Sequence, residues 1–287
     1  DGSRITKLLL LLAFFCVTSL VLIILFFQSK PASPPSISAQ IQDKDEVNNE
    51  KNYSLRKVLP QLMKDKAYLN LCICFGIVVG SFYAVSTLLN QMLDDLNYST
   101  NATVLVGTLM VVVGIVGAII FGIIADKTKK YKILLVVCTA GTLLSFVFWT
   151  FVFREDQLVA ICIGSSLLGF FMTALLPISM DISVEITFPL PEAIVSNLLL
   201  ASAQVFGILL IGICTPLLEL ISIKAVNFSL LLAVALATCM ILLFNGKHTR
   251  ELLEAQTPGT LHTNTNADDE LERRMDGKYN YNNEISN

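Results

Sequence analysis

The sequence predicts an all-α polytopic membrane protein, and three observations carry that prediction. Of its 287 residues 54% are hydrophobic and 15% charged, and mean hydropathy is +0.68. Seven apolar runs, approximately 8–27, 67–93, 102–125, 133–153, 158–180, 193–218 and 225–244, are long enough to cross hydrocarbon roughly 30 Å thick, which takes about 20 helical residues. Lys and Arg gather in alternate connectors. The net charge of −3 lies in loops and the tail, and no basic patch of the kind that attracts nucleic acid is present.

The first run, 8–27, follows Arg4 and Lys7 as a signal peptide would. It ends in Phe26-Phe27-Gln28, which is no small-residue cleavage site, so it reads as a single transmembrane helix. The chain opens Asp1-Gly2-Ser3-Arg4 without Met, and is expected to be part of a longer protein. Residues 28–66 begin with Pro31, Pro34 and Pro35 and continue through a charged, Asn-rich stretch. That composition predicts a flexible linker with an amphipathic end at 55–63. Lys30, Lys44, Lys51, Arg56, Lys57, Lys64 and Lys66 fall in this segment. Lys127, Lys129, Lys130 and Lys132 follow the third run, whereas the alternate connectors hold only Arg154 and Lys224. The positive-inside rule therefore places the linker, the connector after residue 125 and the acidic tail 245–287, expected to be disordered, in the cytoplasm.

Sequons test that orientation. Asn97-Tyr98-Ser99 and Asn101-Ala102-Thr103 lie in a connector expected outside, with Asn97 the better acceptor because Asn101 is nearer the membrane. Asn52-Tyr53-Ser54 is expected inside and bare. Asn227-Phe228-Ser229 sits in an apolar run and reads as chance. All seven cysteines (Cys16, Cys72, Cys74, Cys138, Cys162, Cys214 and Cys239) fall within spans and are expected as buried small residues rather than disulfides. Trp149, near the outer end of its run, reads as an interfacial anchor.

The run 67–93 carries the most informative pattern. Steps of four and three place Gly76, Gly80, Tyr83, Thr87 and Asn90 on one face. In hydrocarbon such a stripe faces protein or a water-filled cavity, because lipid offers its donors and acceptors nothing. A helix-packing seam and a cavity lining are equally compatible with the spacing. Asn197, Ala201, Gln204 and Ile208 share a face in the sixth run, with the same two readings. Gly114, Ala118 and Gly122, and likewise Ser165, Gly169 and Thr173, have the four-residue spacing of close helix approach.

No Asp, Glu, Lys, Arg or His falls inside the six later runs as bounded here, so a proton relay is not expected. His248 and His262 are both in the tail. Neither a metal site nor a cofactor nor enzymatic chemistry is expected, since no His pair or embedded acid pair exists to run it.

Four blocks in order carry a family resemblance: residues 27–31 with Pro34-Pro35-Ser36; Gly80 through Gln91; 168–173 with 184–189; and 201–209. Together they resemble the feline leukaemia virus subgroup C receptor-related transporters of the major facilitator superfamily. The resemblance runs from the first helix to about Phe244. It implies a C-terminal six-helix bundle over 67–244, preceded by the family's sixth helix at 1–27, with a missing N-terminal half as partner. Residues 122–132 also look like the superfamily's cytoplasmic motif. By that match Asp126 and Lys130, with Glu185, brace the two halves or gate the path, while Lys129 stands where the motif usually has Gly.

The implied function is movement of choline, ethanolamine or a related small organic cation, with haem export the older alternative and a non-transporting receptor or inert fragment a third. Tyr83 matches the family's cation-holding tyrosine and Gln204 a glutamine of the same site; Thr87 and Asn90 extend the Tyr83 stripe. A quaternary ammonium donates no conventional hydrogen bond and lies instead over an aromatic face. The family's tryptophan partner belongs to the missing half, so Trp149 does not replace it. Leu200, where the family often has Asn, and the stretch between Pro177 and Val184 depart from the pattern. An integral protein of the plasma membrane is implied, an organelle membrane being the alternative.

Overall fold

The computed structural model describes residues 2–26, 55–188 and 190–243, and every regular element among them is an α-helix. In chain order these are α1 (Gly2–Phe26), α2 (Leu55–Lys64), α3 (Lys66–Asp94), α4 (Thr100–Thr128), α5 (Tyr131–Val152), α6 (Leu158–Thr187), α7 (Glu192–Leu220) and α8 (Ile223–Leu242). Seven are long and apolar enough to cross a membrane, α2 being the short one. Residues 28–54 of the expected linker, Asn52 included, and the expected tail 245–287 with its two histidines lie outside the described residues.

The chain divides into two units. In the first, α1 exposes apolar side chains around its circumference. Two of its hydroxyls bond within their own turns, Thr18 Oγ1 to the Phe14 carbonyl at 2.8 Å and Ser19 Oγ to the Cys16 carbonyl at 3.0 Å. That is how hydroxyls are satisfied where lipid supplies no partner.

The second unit holds α2 to α8. In α2, Val58 and Leu62 enter the core while Leu59 and Met63 remain exposed. Asp65 then caps α3, its Oδ1 accepting from the backbone N–H of Ala67 at 2.8 Å and of Tyr68 at 3.3 Å. At the far end Asn97 adopts a left-handed φ of 59°. The Tyr98 N–H reaches back to the Leu93 carbonyl at 3.0 Å and the Asn97 N–H to that of Asp94 at 2.9 Å, a stop that satisfies two terminal carbonyls. Ser99 caps α4. α4 ends on Lys129 at φ 51°, whose N–H donates to the Ala125 carbonyl at 2.8 Å. The turn thus keeps the left-handed shape for which the motif usually has Gly, with a lysine in it.

The helices pack as α3 against α7 and α8, α4 against α6, and α5 against α6 and α8. α3 and α7 run parallel, as two helices separated by three spans must: Tyr68 Oη donates to the Val195 carbonyl at 2.8 Å, and Ser202 Oγ to the Cys72 carbonyl at 3.1 Å. Tyr98 joins two connectors on one side, accepting from the Gln157 N–H at 2.8 Å and donating to the Arg154 carbonyl at 3.0 Å. This pairing puts 94–101 and 153–157 at the same end of the bundle, as alternation of the spans requires.

Four expectations are corrected. Trp149 is no interfacial anchor: it is fully buried, and its Nε1 donates to Asn227 Oδ1 at 3.3 Å. A buried indole N–H needs an acceptor, and the amide in the apolar run 225–244 supplies it, so the sequon at Asn227 is part of the core. The α4 seam follows Met110, Gly114, Gly117, Phe121 and Ala125 rather than Gly114, Ala118 and Gly122. Gly117 abuts the Phe170 carbonyl, whereas a side chain at Gly122 would meet nothing. The fifth run does not stop at residue 180, because α6 continues to Thr187 and includes Asp181 and Glu185; it halts only ahead of Pro189 and Pro191 in the sequence. The cysteines are all free, but Cys16 and Cys239 are exposed rather than buried.

Candidate functional site

The polar stripe of α3 divides in two. Gly76 and Gly80 are buried, Tyr83 is half-buried, and Thr87 and Asn90 are exposed. The packing-seam reading therefore holds for Gly76 and Gly80, while Thr87 and Asn90 face outward from the bundle. A Cβ on Gly80 would stand 2.8 Å from the Gly207 nitrogen and 2.9 Å from the Phe206 carbonyl carbon, so backbone meets backbone there, as small residues allow. Gly207 in turn makes room for a ring, since its Cβ would lie 2.9 Å from Tyr83 Cδ2.

One turn before Gly207, Gln204 Nε2 donates to Tyr83 Oη at 3.4 Å, on an exposed surface. The distance is at the long end for an N–H···O bond. Asn197, Ala201 and Ile208 are exposed on the same stripe of α7. A phenol and a carboxamide thus stand together on two helices locked by a glycine crossing. Gln204 directs one N–H at the phenol and keeps its Oε1 as an acceptor.

Tyr83 also lines an apolar recess of about 200 Å³ between α3, α4 and α6, together with Val79, Phe82, Ile115, Met172 and Thr173. Phe82 meets Tyr83 edge-on, centroids 6.3 Å apart at 63°. Spacing alone could not reveal this recess, because it depends on which helices neighbour α3. The adjacent aromatic pair Phe82-Tyr83 was the one signal available.

The remaining site candidates lie elsewhere. Asp126 and Lys130 are exposed at the end of α4 and the entry to α5. Glu185 is buried near the end of α6, the end of the bundle that α4 also reaches. Tyr83 and Gln204 are in the middle reaches of their helices, so the structure does not bring these three to them. Asn97 and Asn101 are exposed, Asn97 at the left-handed stop of α3 and Asn101 in the first turn of α4. Among the described residues no group of His, Cys, Asp or Glu is arranged to hold a metal ion.

Residues 7–193 match the family model described as Major Facilitator Superfamily. The chain is 41% identical over 194 residues to a protein of Caenorhabditis elegans named uncharacterized MFS-type transporter C09D4.1, the match covering 67% of this chain and 32% of that one. It is 39% identical over 197 residues to the choline/ethanolamine transporter flvcr2a of Danio rerio, covering 66% and 40%. It is 36% identical over 196 residues to the choline/ethanolamine transporter FLVCR2 of Homo sapiens, covering 66% and 36%. The matched stretch spans between 32% and 40% of the length of these relatives.

Proposed function

Because the chain belongs to the major facilitator superfamily, we propose that it supplies one bundle of a facilitative carrier for choline or a related small organic cation, ethanolamine included. The observation that carries this reading is the 3.4 Å meeting of the Tyr83 hydroxyl and the Gln204 amide on an open, uncharged surface. A permanently charged ammonium placed over the Tyr83 face gains about 0.5–2 kcal/mol, more when desolvated. Gln204 Oε1 accepts from the solute's alcohol, and Thr87 and Asn90 extend the polar track along α3. The opposite wall of the cage comes from a second bundle, against which this one rocks around a mid-membrane site.

Asp126, Lys130 and Glu185, at the other end of α4 and α6, brace the bundle against that partner in one state of the cycle. Tyr83, Gln204, Thr87 and Asn90 include no carboxylate, imidazole or amine, which supports movement of the cation down its electrochemical gradient without proton coupling. The membrane potential contributes about 2.3 kcal/mol per 100 mV for each charge. The plasma membrane, with Asn97 outward and glycosylated, is the location this reading favours.

Radiolabelled choline uptake by the full-length protein, at two pH values and with sodium removed, tests the reading. Uptake that follows membrane potential and ignores both changes is expected; a strict requirement for sodium or a proton gradient overturns it.

A further inference from the structure

We propose that the recess beside Tyr83 is a side pocket for an apolar substituent on the solute's nitrogen, so that the site takes quaternary ammonium ions bearing one N-alkyl arm longer than methyl. The inference rests on reading Tyr83 as the aromatic wall for the cation, and specifies where the rest of the head group goes.

Three features of the recess lead to this class of ligand. Its lining includes no ionisable side chain other than the Tyr83 phenol, and Val79, Phe82, Ile115 and Met172 present hydrocarbon or sulfur. Thr173 adds little polarity, because its Oγ1 is set against Gly114 of α4, 2.6 Å from where a Cβ there would be. A primary ammonium pushed into this space would lose water from three donors for want of acceptors, whereas an alkyl arm gains by leaving water. Size is compatible with this: a recess of about 200 Å³ has room for a short alkyl arm.

Geometry joins the two parts. Tyr83 lines the recess while its hydroxyl meets Gln204. A nitrogen lying over that ring therefore turns one substituent into the recess and its hydroxyethyl arm toward the carboxamide. Met172, unbranched and polarisable, adapts to arms of different length.

The test is competition with radiolabelled choline uptake in the full-length protein by hydroxyethyl-dimethyl-ammonium ions carrying N-methyl, N-ethyl, N-propyl or N-butyl. Ile115, 53% exposed on α4, can be altered with little effect on folding, and each protein is judged by the ratio of its affinities for the butyl and methyl ions. The unaltered protein is expected to gain about fourfold per methylene. Ile115→Phe fills the recess and flattens the series; Ile115→Ala deepens it and carries the gain to a longer arm. A series that falls from methyl to butyl, or one with the same slope in all three proteins, overturns the side pocket. If choline uptake is also indifferent to Tyr83→Ala, the cation site itself fails; if uptake depends on Tyr83 and only the slopes are unmoved, the side pocket alone fails.

Discussion

Tyr83 and Gln204, 121 positions apart in sequence, meet at 3.4 Å because Gly207 has no side chain to hold the ring away. The same glycine takes the backbone of α3 at Gly80. One helix crossing therefore sets both the stability of the α3–α7 pair and the position of the phenol.

Gly80→Ala forces a methyl against the Gly207 nitrogen and the Phe206 carbonyl carbon, both backbone atoms that cannot rotate aside. Overpacking of this kind costs about 1–3 kcal/mol, more than the ~1 kcal/mol that alanine gains over glycine in a helix. A lower thermal midpoint in detergent is expected. Gly122→Ala, with nothing near it, should hold or raise the midpoint.

Lys129 is in the left-handed region at φ 51°, which costs an L-residue about 1 kcal/mol or more relative to glycine. Lys129→Gly gives back part of that to the greater freedom of the unfolded chain, ~0.4–1 kcal/mol. A small net stabilisation is expected by thermal shift, whereas Lys129→Val, β-branched in the same turn, should lower the midpoint.

Trp149 and Asn227 form a buried pair. Asn227→Leu strands the indole N–H at a cost of about 1–3 kcal/mol. Trp149→Phe strands the amide. The double variant loses both polar groups together and should be more stable than the sum of the single losses predicts, a non-additivity that a thermal double-mutant cycle reads directly.

The orientation proposed for the membrane makes Asn97 the glycan acceptor. Asn97→Gln should remove a glycosidase-sensitive mobility shift on gels, and Asn227→Gln should leave that shift in place, since Asn227 is in the core. A shift unaffected by Asn97→Gln and Asn101→Gln together would reverse the proposed sidedness.

The fold class was legible because hydrocarbon thickness fixes the length of a span and composition reports it. The stripe on α3 was legible for a similar reason, since helical periodicity says which residues share a face. It does not say what that face meets: Gly80 finds Gly207 while Thr87, two turns on, finds open space. The role of Trp149 is not legible in sequence, because a tryptophan near a helix end has the pattern of a membrane belt and its partner is 78 residues away. The apolar run 158–180 reports the hydrocarbon stretch and not the end of α6. A helix needs backbone partners rather than apolar side chains to continue, so it runs to Thr187.

The most direct test of the cage is stabilisation of the full-length protein by choline, measured as a thermal shift in the unaltered protein, in Tyr83→Ala, in Gln204→Ala and in the double variant. The account predicts a concentration-dependent rise in the unaltered protein, reduced in Gln204→Ala, nearly lost in Tyr83→Ala, and absent in the double variant. An undiminished shift in the double variant would place the cation somewhere else and contradict the account.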